Sequence, residues 1–186
     1  MLARLQQALA AEPDSTVAGR RCAAQPLTDA RALLRCATAS PPPPDLAAQA
    51  RDTWINRADS PAESTAMLAT FGPILTPQDH WQRFDRQESA GRLDAAARQL
   101  PLLSPAQQVV ARARLALRRN DAQADMTLAT VPPEQQADAA LVFDHLRWLH
   151  HAQRLDEALA LWHARGVTTE KQQNPTLAAA FWRERD

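Results

Sequence analysis

Apolar residues recur along this chain at intervals of three and four residues, the spacing that places side chains on one face of an α-helix. Four stripes show it: Leu68 and Phe71; Trp81 and Phe84; Val109, Ala113 and Leu117; and Leu141, His145, Trp148 and Ala152. The pattern predicts about ten helices of roughly 9 to 16 residues, joined by short turns.

Three segments share a pattern that starts helices. In each, a Ser or Thr can accept from a first-turn N–H group, Pro fits the next position, and a polar or acidic residue falls at the third helical position. These segments are Ser60-Pro61-Ala62-Glu63, Thr76-Pro77-Gln78-Asp79 and Ser104-Pro105-Ala106-Gln107. Less distinct starts follow Pro132-Pro133-Glu134 and Asn174-Pro175.

The chain also resembles itself. The strings at 90–100 and 152–162 share Arg-Leu-Asp-x-Ala, and each follows a segment with aromatic residues. Their offset is 62 residues (152 minus 90), or two helical hairpins of about 31 residues each. We therefore predict helix-turn-helix repeats, in which each pair buries its apolar face by stacking on the next.

Composition supports an all-α fold. The chain has four Gly, no Tyr and many Ala, Leu, Gln and Arg residues, which lose little side-chain freedom in a helix. Its 14 Pro residues lie mostly between the apolar segments, where they separate helices. We interpret Pro41–Pro44 as a stiff connector rather than as a ligand for an SH3-like groove. We place a boundary there, between an N-terminal part at 1–45 and a helical region at 46–186.

Charge and cysteine content narrow the possible partners. The 21 Lys and Arg residues balance 21 Asp and Glu residues, so net charge gives no reason to expect nucleic acid. No stretch approaches the roughly 20 apolar residues of a membrane span. We interpret Cys22 and Cys36 as small core residues, with a disulfide as the alternative.

Candidate metal and cofactor sites are few. His150 and His151 are adjacent and diverge on a helix, no two His residues stand four apart, and no phosphate-binding loop or nucleophile motif occurs. We therefore predict no metal and no cofactor. His145 is expected to be half-buried with one ring nitrogen hydrogen-bonded, and His80 to be a surface neighbour of Asp79.

Four arginines cluster on the helix expected after Ser104: Arg112, Arg114, Arg118 and Arg119. They suit either a solvated helix face, favoured by the dipole near the helix C-terminus, or an anion-binding patch. Because the whole chain is neutral, we prefer the solvated face.

The most specific string runs from Phe71 to Asp85 and reads Phe-Gly-x-x-Leu-Thr-x-x-Asp-His-x-x-Arg-x-Asp. Shorter strings accompany it: Ala50–Trp54, Leu100–Leu102, Ala111–Leu117, Val131-Pro132 and Arg147–Leu149. From about residue 46 onward, the sequence resembles the soluble lytic murein transglycosylase family, specifically the α-superhelical region that precedes its catalytic domain. The resemblance implies a right-handed superhelical array of tetratricopeptide-like helix pairs, open at its ends.

The resemblance also implies a function in peptidoglycan metabolism, but it does not extend to the family's catalytic domain. In the family, a periplasmic scaffold carries a domain that cleaves between N-acetylmuramic acid and N-acetylglucosamine, using a glutamate in a Glu-Ser pair upstream of Gly-Leu-Met-Gln. Glu88-Ser89 is such a pair, but no Gly-Leu-Met-Gln follows, and Gly91 and the repeat string come next. We therefore expect Glu88 to be a carboxylate near a helix end, and we assign no catalytic residue.

The two ends of the chain suggest a fragment. The sequence begins without a signal peptide and stops at Phe181-Trp182-Arg183-Glu184-Arg185-Asp186, where another helix would start. The resemblance implies a periplasmic location, and a genuine start at Met1 would imply the cytoplasm.

The leading hypothesis is a non-catalytic scaffold segment of a lytic transglycosylase-like protein, inactive alone. It would contact peptidoglycan glycan strands or a lytic transglycosylase catalytic domain. The alternative is a free-standing tetratricopeptide-like module that binds a partner peptide or helix in its groove. A hydrolase that uses Glu88 would need a second carboxylate or a sugar cleft, neither of which the sequence reveals.

Overall fold

In the computed structural model, the described residues are Cys22, 29–37 and 45–168, and all regular structure among them is helical. The all-α prediction is confirmed. The superhelical stacking of tetratricopeptide-like pairs stays a prediction. The α-helices in this part of the chain are α1 Ala30–Cys36, α2 Leu46–Asn56, α3 Pro61–Phe71, α4 Pro77–Ser89, α5 Leu93–Ala97, α6 Pro105–Arg118, α7 Ala124–Ala129, α8 Ala139–His151 and α9 Leu155–Leu161.

Shorter helical turns follow three of these helices. Gly72–Ile74 and Leu100–Leu102 form 3₁₀ turns, each containing a proline, and Trp162–Gly166 forms a π-helical turn. The expected start at Asn174-Pro175 and the connector Pro41–Pro44 lie outside the described residues.

The three predicted Ser/Thr-Pro starts are confirmed. The Ser60 hydroxyl accepts from the Glu63 N–H at 3.2 Å, and the Thr76 hydroxyl accepts from the Asp79 N–H at 3.2 Å. Ser104 and Gln107 form a reciprocal capping box.

The weaker start after Pro132-Pro133-Glu134 was wrong. That stretch forms turns, and α8 begins later, at Ala139. The Asp138 carboxylate accepts from the Leu141 N–H at 2.9 Å, and so provides the cap that the proline segment lacks.

The chain divides into two compact units, the first ending at Arg86 and the second beginning at Gln87. In the first unit, α1 packs on α2 and α3, and α2 packs on α3. Its core contains Leu33, Trp54, Met67 and Phe84, all fully buried. The sequence-based boundary between 45 and 46 stays a prediction.

In the second unit, α6 is the central helix. It packs against α5, α7 and α8, and α8 also packs on α9. From Val110 to Leu117, only Arg112 is exposed. Because α6 is surrounded, any charged side chain on it other than Arg112 must find a partner inside the protein.

The two cysteines are joined. Cys22 and Cys36 form a disulfide whose Cα atoms lie 5.7 Å apart, within the usual range. Both residues are buried, as expected, but the interpretation as separate core thiols was wrong because their side chains meet.

Three helices have their C-terminal ends in the second unit, and all three end in the same turn. A residue with positive φ follows the helix, and two N–H groups return to carbonyls of its last turn, the Schellman arrangement. The positive-φ residues are Gly91 after α4, Asn120 after α6 and Gln153 after α8. The turns at Gly91 and Gln153 precede the two copies of the Arg-Leu-Asp string, as the sequence repeat suggests. The segment around Asn120 lacks this string, so the repeat does not indicate a turn there.

Candidate functional site

Glu88 lies in the last turn of α4, just before the Gly91 turn. Its position near a helix end is as expected from the sequence. Its environment is different, because only 1% of the residue is exposed to solvent. A buried carboxylate needs compensating charge or hydrogen bonds, and two arginines of α6 supply them.

Arg114 is the centre of this arrangement. Its guanidinium donates a hydrogen bond through Nη2 to Glu88 Oε2, and through Nε to Asp144 Oδ2 at 2.9 Å. It therefore joins the end of α4 to the middle of α8. We call Glu88, Arg114, Arg118 and Asp144 the ionic cluster.

Arg118, one turn after Arg114, completes the ionic cluster. Its Nε lies 2.9 Å from Glu88 Oε1 and 3.9 Å from Asp144 Oδ1. The shorter contact is an ion pair without hydrogen-bond alignment, since Glu88 Oε1 accepts no hydrogen bond. Arg118 Nη2 also donates to the Glu88 carbonyl at 3.3 Å. Two cations thus face two carboxylates.

The carboxyl of Asp144 has a raised pKa within the ionic cluster. Burial raises the pKa of its carboxyl from 3.8 to about 7, and the charge of Glu88 acts in the same direction. The positive charges of Arg114 and Arg118 oppose the rise. Asp144 therefore gains or loses a proton near neutral pH.

Asp144 also supplies the second carboxylate that the hydrolase hypothesis lacked, but a binding cleft does not accompany it. The pocket beside the cluster, lined by Arg118, Asp144, Arg147 and Trp148 among others, has a volume of about 40 Å³. That space suits a water molecule rather than a sugar ring. Glu88 is covered by two guanidinium groups, so the geometry suits a structural role.

The preferred interpretation of the arginine group was wrong for two of its members. Arg114 and Arg118 are not on a solvated face, because they are drawn inward by Glu88 and Asp144. Arg112 and Arg119 are exposed, as expected.

The expectation for His80 was also wrong. His80 is buried, with its ring edge-on to Trp54 at 5.5 Å between centroids. Burial lowers the pKa of His80, with a smaller opposing effect from Asp79. The neighbouring Asp79 is itself held by Thr76, so this end of α4 packs inward.

The sequence contains part of the information needed to predict the ionic cluster. Arg114 lies within the mostly apolar run at 109–117, and Arg118 follows four residues later on the same face of α6. What the sequence does not show is that Asp144, 30 positions after Arg114, lies opposite it.

The described residues contain neither a metal-binding group nor a helix suited to span a membrane. No group of three or more His, Cys, Asp or Glu side chains there is arranged to hold a metal ion. No helix in these ranges has the length and apolar character that a membrane span requires.

The chain matches no protein-family model, no curated protein and no solved structure. The resemblance to lytic transglycosylases therefore depends on the sequence strings alone.

Proposed function

We propose that this chain is a non-catalytic helical scaffold of the lytic transglycosylase-like kind, which acts in peptidoglycan metabolism by binding glycan strands or a catalytic domain. The observation that carries the proposal is the burial of Glu88 in the ionic cluster. The chain has two Glu-Ser pairs, Glu63-Ser64 and Glu88-Ser89. Glu63 lies in the first turn of α3, whereas Glu88 is bound by two arginines and so stabilises helix packing instead of reaching a substrate.

The strings behind the family resemblance contact one another in the first unit. Arg51, from the string Ala50–Trp54, donates to the Ile74 carbonyl at 3.1 Å and lies 3.7 Å from Asp79. Trp54, from the same string, meets His80 and lies under the Arg83 guanidinium. A resemblance confined to a scaffold would involve residues that pack its helices together. The contacts of Arg51 and Trp54 are of this kind, and so they support the proposal.

The disulfide supports a periplasmic location. Disulfides persist in oxidising compartments such as the bacterial periplasm and are rare in the cytosol. The Cys22–Cys36 bond therefore favours the compartment in which peptidoglycan is found.

Sedimentation with purified, insoluble peptidoglycan tests the proposal. We expect the chain to cosediment, to release no anhydro-muropeptides, and to bind equally well as Glu88→Gln in any sample that remains folded. Release of anhydro-muropeptides that Glu88→Gln abolishes would contradict it. Failure to sediment both alone and with a purified transglycosylase catalytic domain would also contradict it.

The alternative is a tetratricopeptide-like interaction module. It is favoured by apolar residues exposed in the second unit, namely Met126, Leu155 and Leu159, each more than half exposed. Leu155 and Leu159 lie one turn apart on α9, where they could contact a partner helix. Loss of a defined protein partner in Leu155→Ser/Leu159→Ser, with peptidoglycan absent, would support this alternative.

A further inference from the structure

A second concave feature lies apart from the ionic cluster. In the second unit, α7, α8 and the chain around Leu161 enclose a cleft of about 320 Å³. Its walls are mainly apolar, and polar side chains interrupt them at four points. The lining residues are Asp125, Leu128, Ala129, Gln136, Leu141, Val142, His145, Leu161 and Arg165. Volume and lining fall at the lower end of the range of small-molecule sites.

Most of the polar groups in this cleft are already engaged. Asp125 forms an ion pair with Arg154 at 2.7 Å, and Arg165 donates to the Gln136 amide oxygen at 3.4 Å. His145 is half-buried, as expected, but the expected hydrogen bond to one ring nitrogen was wrong, because neither nitrogen has a partner in the part of the chain that the structure describes. Its ring contact is with Trp148, at 6.1 Å between centroids.

The charges of the cleft favour a neutral ligand. Asp125 and Arg165 contribute one negative and one positive charge to the lining. Burial lowers the pKa of His145, and Arg154 and Arg165 add to this effect against Asp125 and Glu157. A neutral imidazole has one donor and one acceptor nitrogen, so it suits a hydroxyl or N–H group on an otherwise apolar molecule.

The π-helical turn at Trp162–Gly166 shapes one wall. It places Leu161 and Arg165 on the cleft, and π-helical turns occur often at functional sites. Gly166 permits this turn, because a Cβ atom there would overlap the Trp162 indole. The wall is therefore built by a specific backbone arrangement.

We propose that this cleft binds a small uncharged molecule with an apolar, ring-sized body and one hydrogen-bonding group that pairs with His145. The inference goes beyond the scaffold function and does not depend on it. Phenols are the simplest chemical class that meets these requirements, since a flat apolar ring carries one hydroxyl.

The test uses p-cresol, with toluene and benzoate as matched probes that lack the hydroxyl or add a charge. Titrations of the full chain would be followed by ¹H–¹⁵N NMR, including the imidazole resonances. We expect saturable binding of p-cresol with shifts at His145, toluene about fivefold weaker through loss of one hydrogen bond, and no saturable binding of benzoate.

Ala129→Trp serves as the cleft-filling variant, since Ala129 lines the cleft and is exposed. Ala69→Trp, on the exposed face of α3 in the first unit, is the control. We expect Ala129→Trp to weaken p-cresol binding at least tenfold and Ala69→Trp to leave it unchanged, with both variants folded by circular dichroism. His145→Phe should make p-cresol and toluene bind equally.

Three outcomes would overturn the proposal. They are absence of saturable p-cresol binding, equal binding in Ala129→Trp and the unmodified chain, and shifts confined to residues outside the cleft.

Discussion

The two units each bury an arginine almost completely, but they neutralise it differently. Arg83 in the first unit and Arg114 in the second are both 1% exposed. Arg83 donates to the carbonyls of Trp54 and Ala58 and stacks on the Trp54 ring at 4.1 Å, whereas Arg114 is bound by two carboxylates.

This difference separates two ways to hold helices together. The carbonyls that receive Arg83 lie at the end of α2 and just after it, where helical carbonyls lack partners within the helix and carry partial negative charge. They do not titrate. The carboxylates around Arg114 carry full charges whose desolvation must be offset, and one of them titrates near neutral pH. The ionic cluster should therefore make stability depend on pH near neutrality, whereas the carbonyls around Arg83 add no such dependence.

The largest expected effect comes from Arg114→Met. Removing this guanidinium leaves Glu88 and Asp144 with Arg118 as the remaining cation of the ionic cluster, and breaking a buried pair in this way costs about 3–5 kcal/mol. Urea unfolding followed by circular dichroism measures the change. A loss below about 1 kcal/mol would show that the ionic cluster adds little to stability.

A triple variant distinguishes two contributions to this cost: the lost attraction of Arg114 for the carboxylates, and the burial of two carboxylates that no longer have Arg114 as a partner. Arg114→Met combined with Glu88→Gln and Asp144→Asn removes both carboxylate charges as well as the cation. We expect it to recover at least half of the free energy of unfolding lost in Arg114→Met, because neutral amides cost less to bury. No recovery would mean that Arg114 acts mainly through packing of its aliphatic part.

Arg83→Met should cost less, about 3 kcal/mol. The substitution removes charged hydrogen bonds to two carbonyls and to the Ser64 hydroxyl, the last at 2.8 Å, and all three of these acceptors are neutral. The same urea titrations, run at pH 8, measure it. A cost as large as that of Arg114→Met would end the contrast between the two arginines.

The dependence of the free energy of unfolding on pH tests the role of Asp144 in the ionic cluster. Because Asp144 has a higher pKa when folded, the folded state binds more protons than the unfolded state between about pH 4 and pH 7. The stability that protonated Asp144 provides is fully present below about pH 4 and is lost as the pH rises through about 7. Asp144→Asn should flatten this slope in a series of unfolding curves.

Asp144→Glu is the control for that series. It keeps a titratable carboxyl in the same place, so a slope in the same direction should remain even if overall stability falls. An unchanged slope in Asp144→Asn would assign the pH dependence to another group.

The sequence predicted local structure better than long-range contacts. Ser60, Thr76 and Ser104 each initiated the expected helix because capping depends on neighbours within four residues. Glu88 could be placed near a helix end for the same reason. Its burial could not be predicted, because it depends on Arg114 and on the packing of α4, α6 and α8. His80 was misassigned because Trp54, its ring partner, is distant in sequence.

The smallest expected effects concern the turns that follow the helices of the ionic cluster. Gly91 has a φ of 73°, and an added Cβ there would contact nothing within 4 Å, so Gly91→Ala should cost about 1 kcal/mol from backbone strain alone. Asn120 and Gln153 adopt similar φ values without being glycine, so Asn120→Gly and Gln153→Gly should each stabilise by about 0.5–1 kcal/mol. Thermal unfolding at pH 5 and pH 8 measures all three. Backbone strain involves no proton, so these changes should be the same at both pH values; a change that varies with pH would show that the turn moves Glu88 or Arg118 within the cluster.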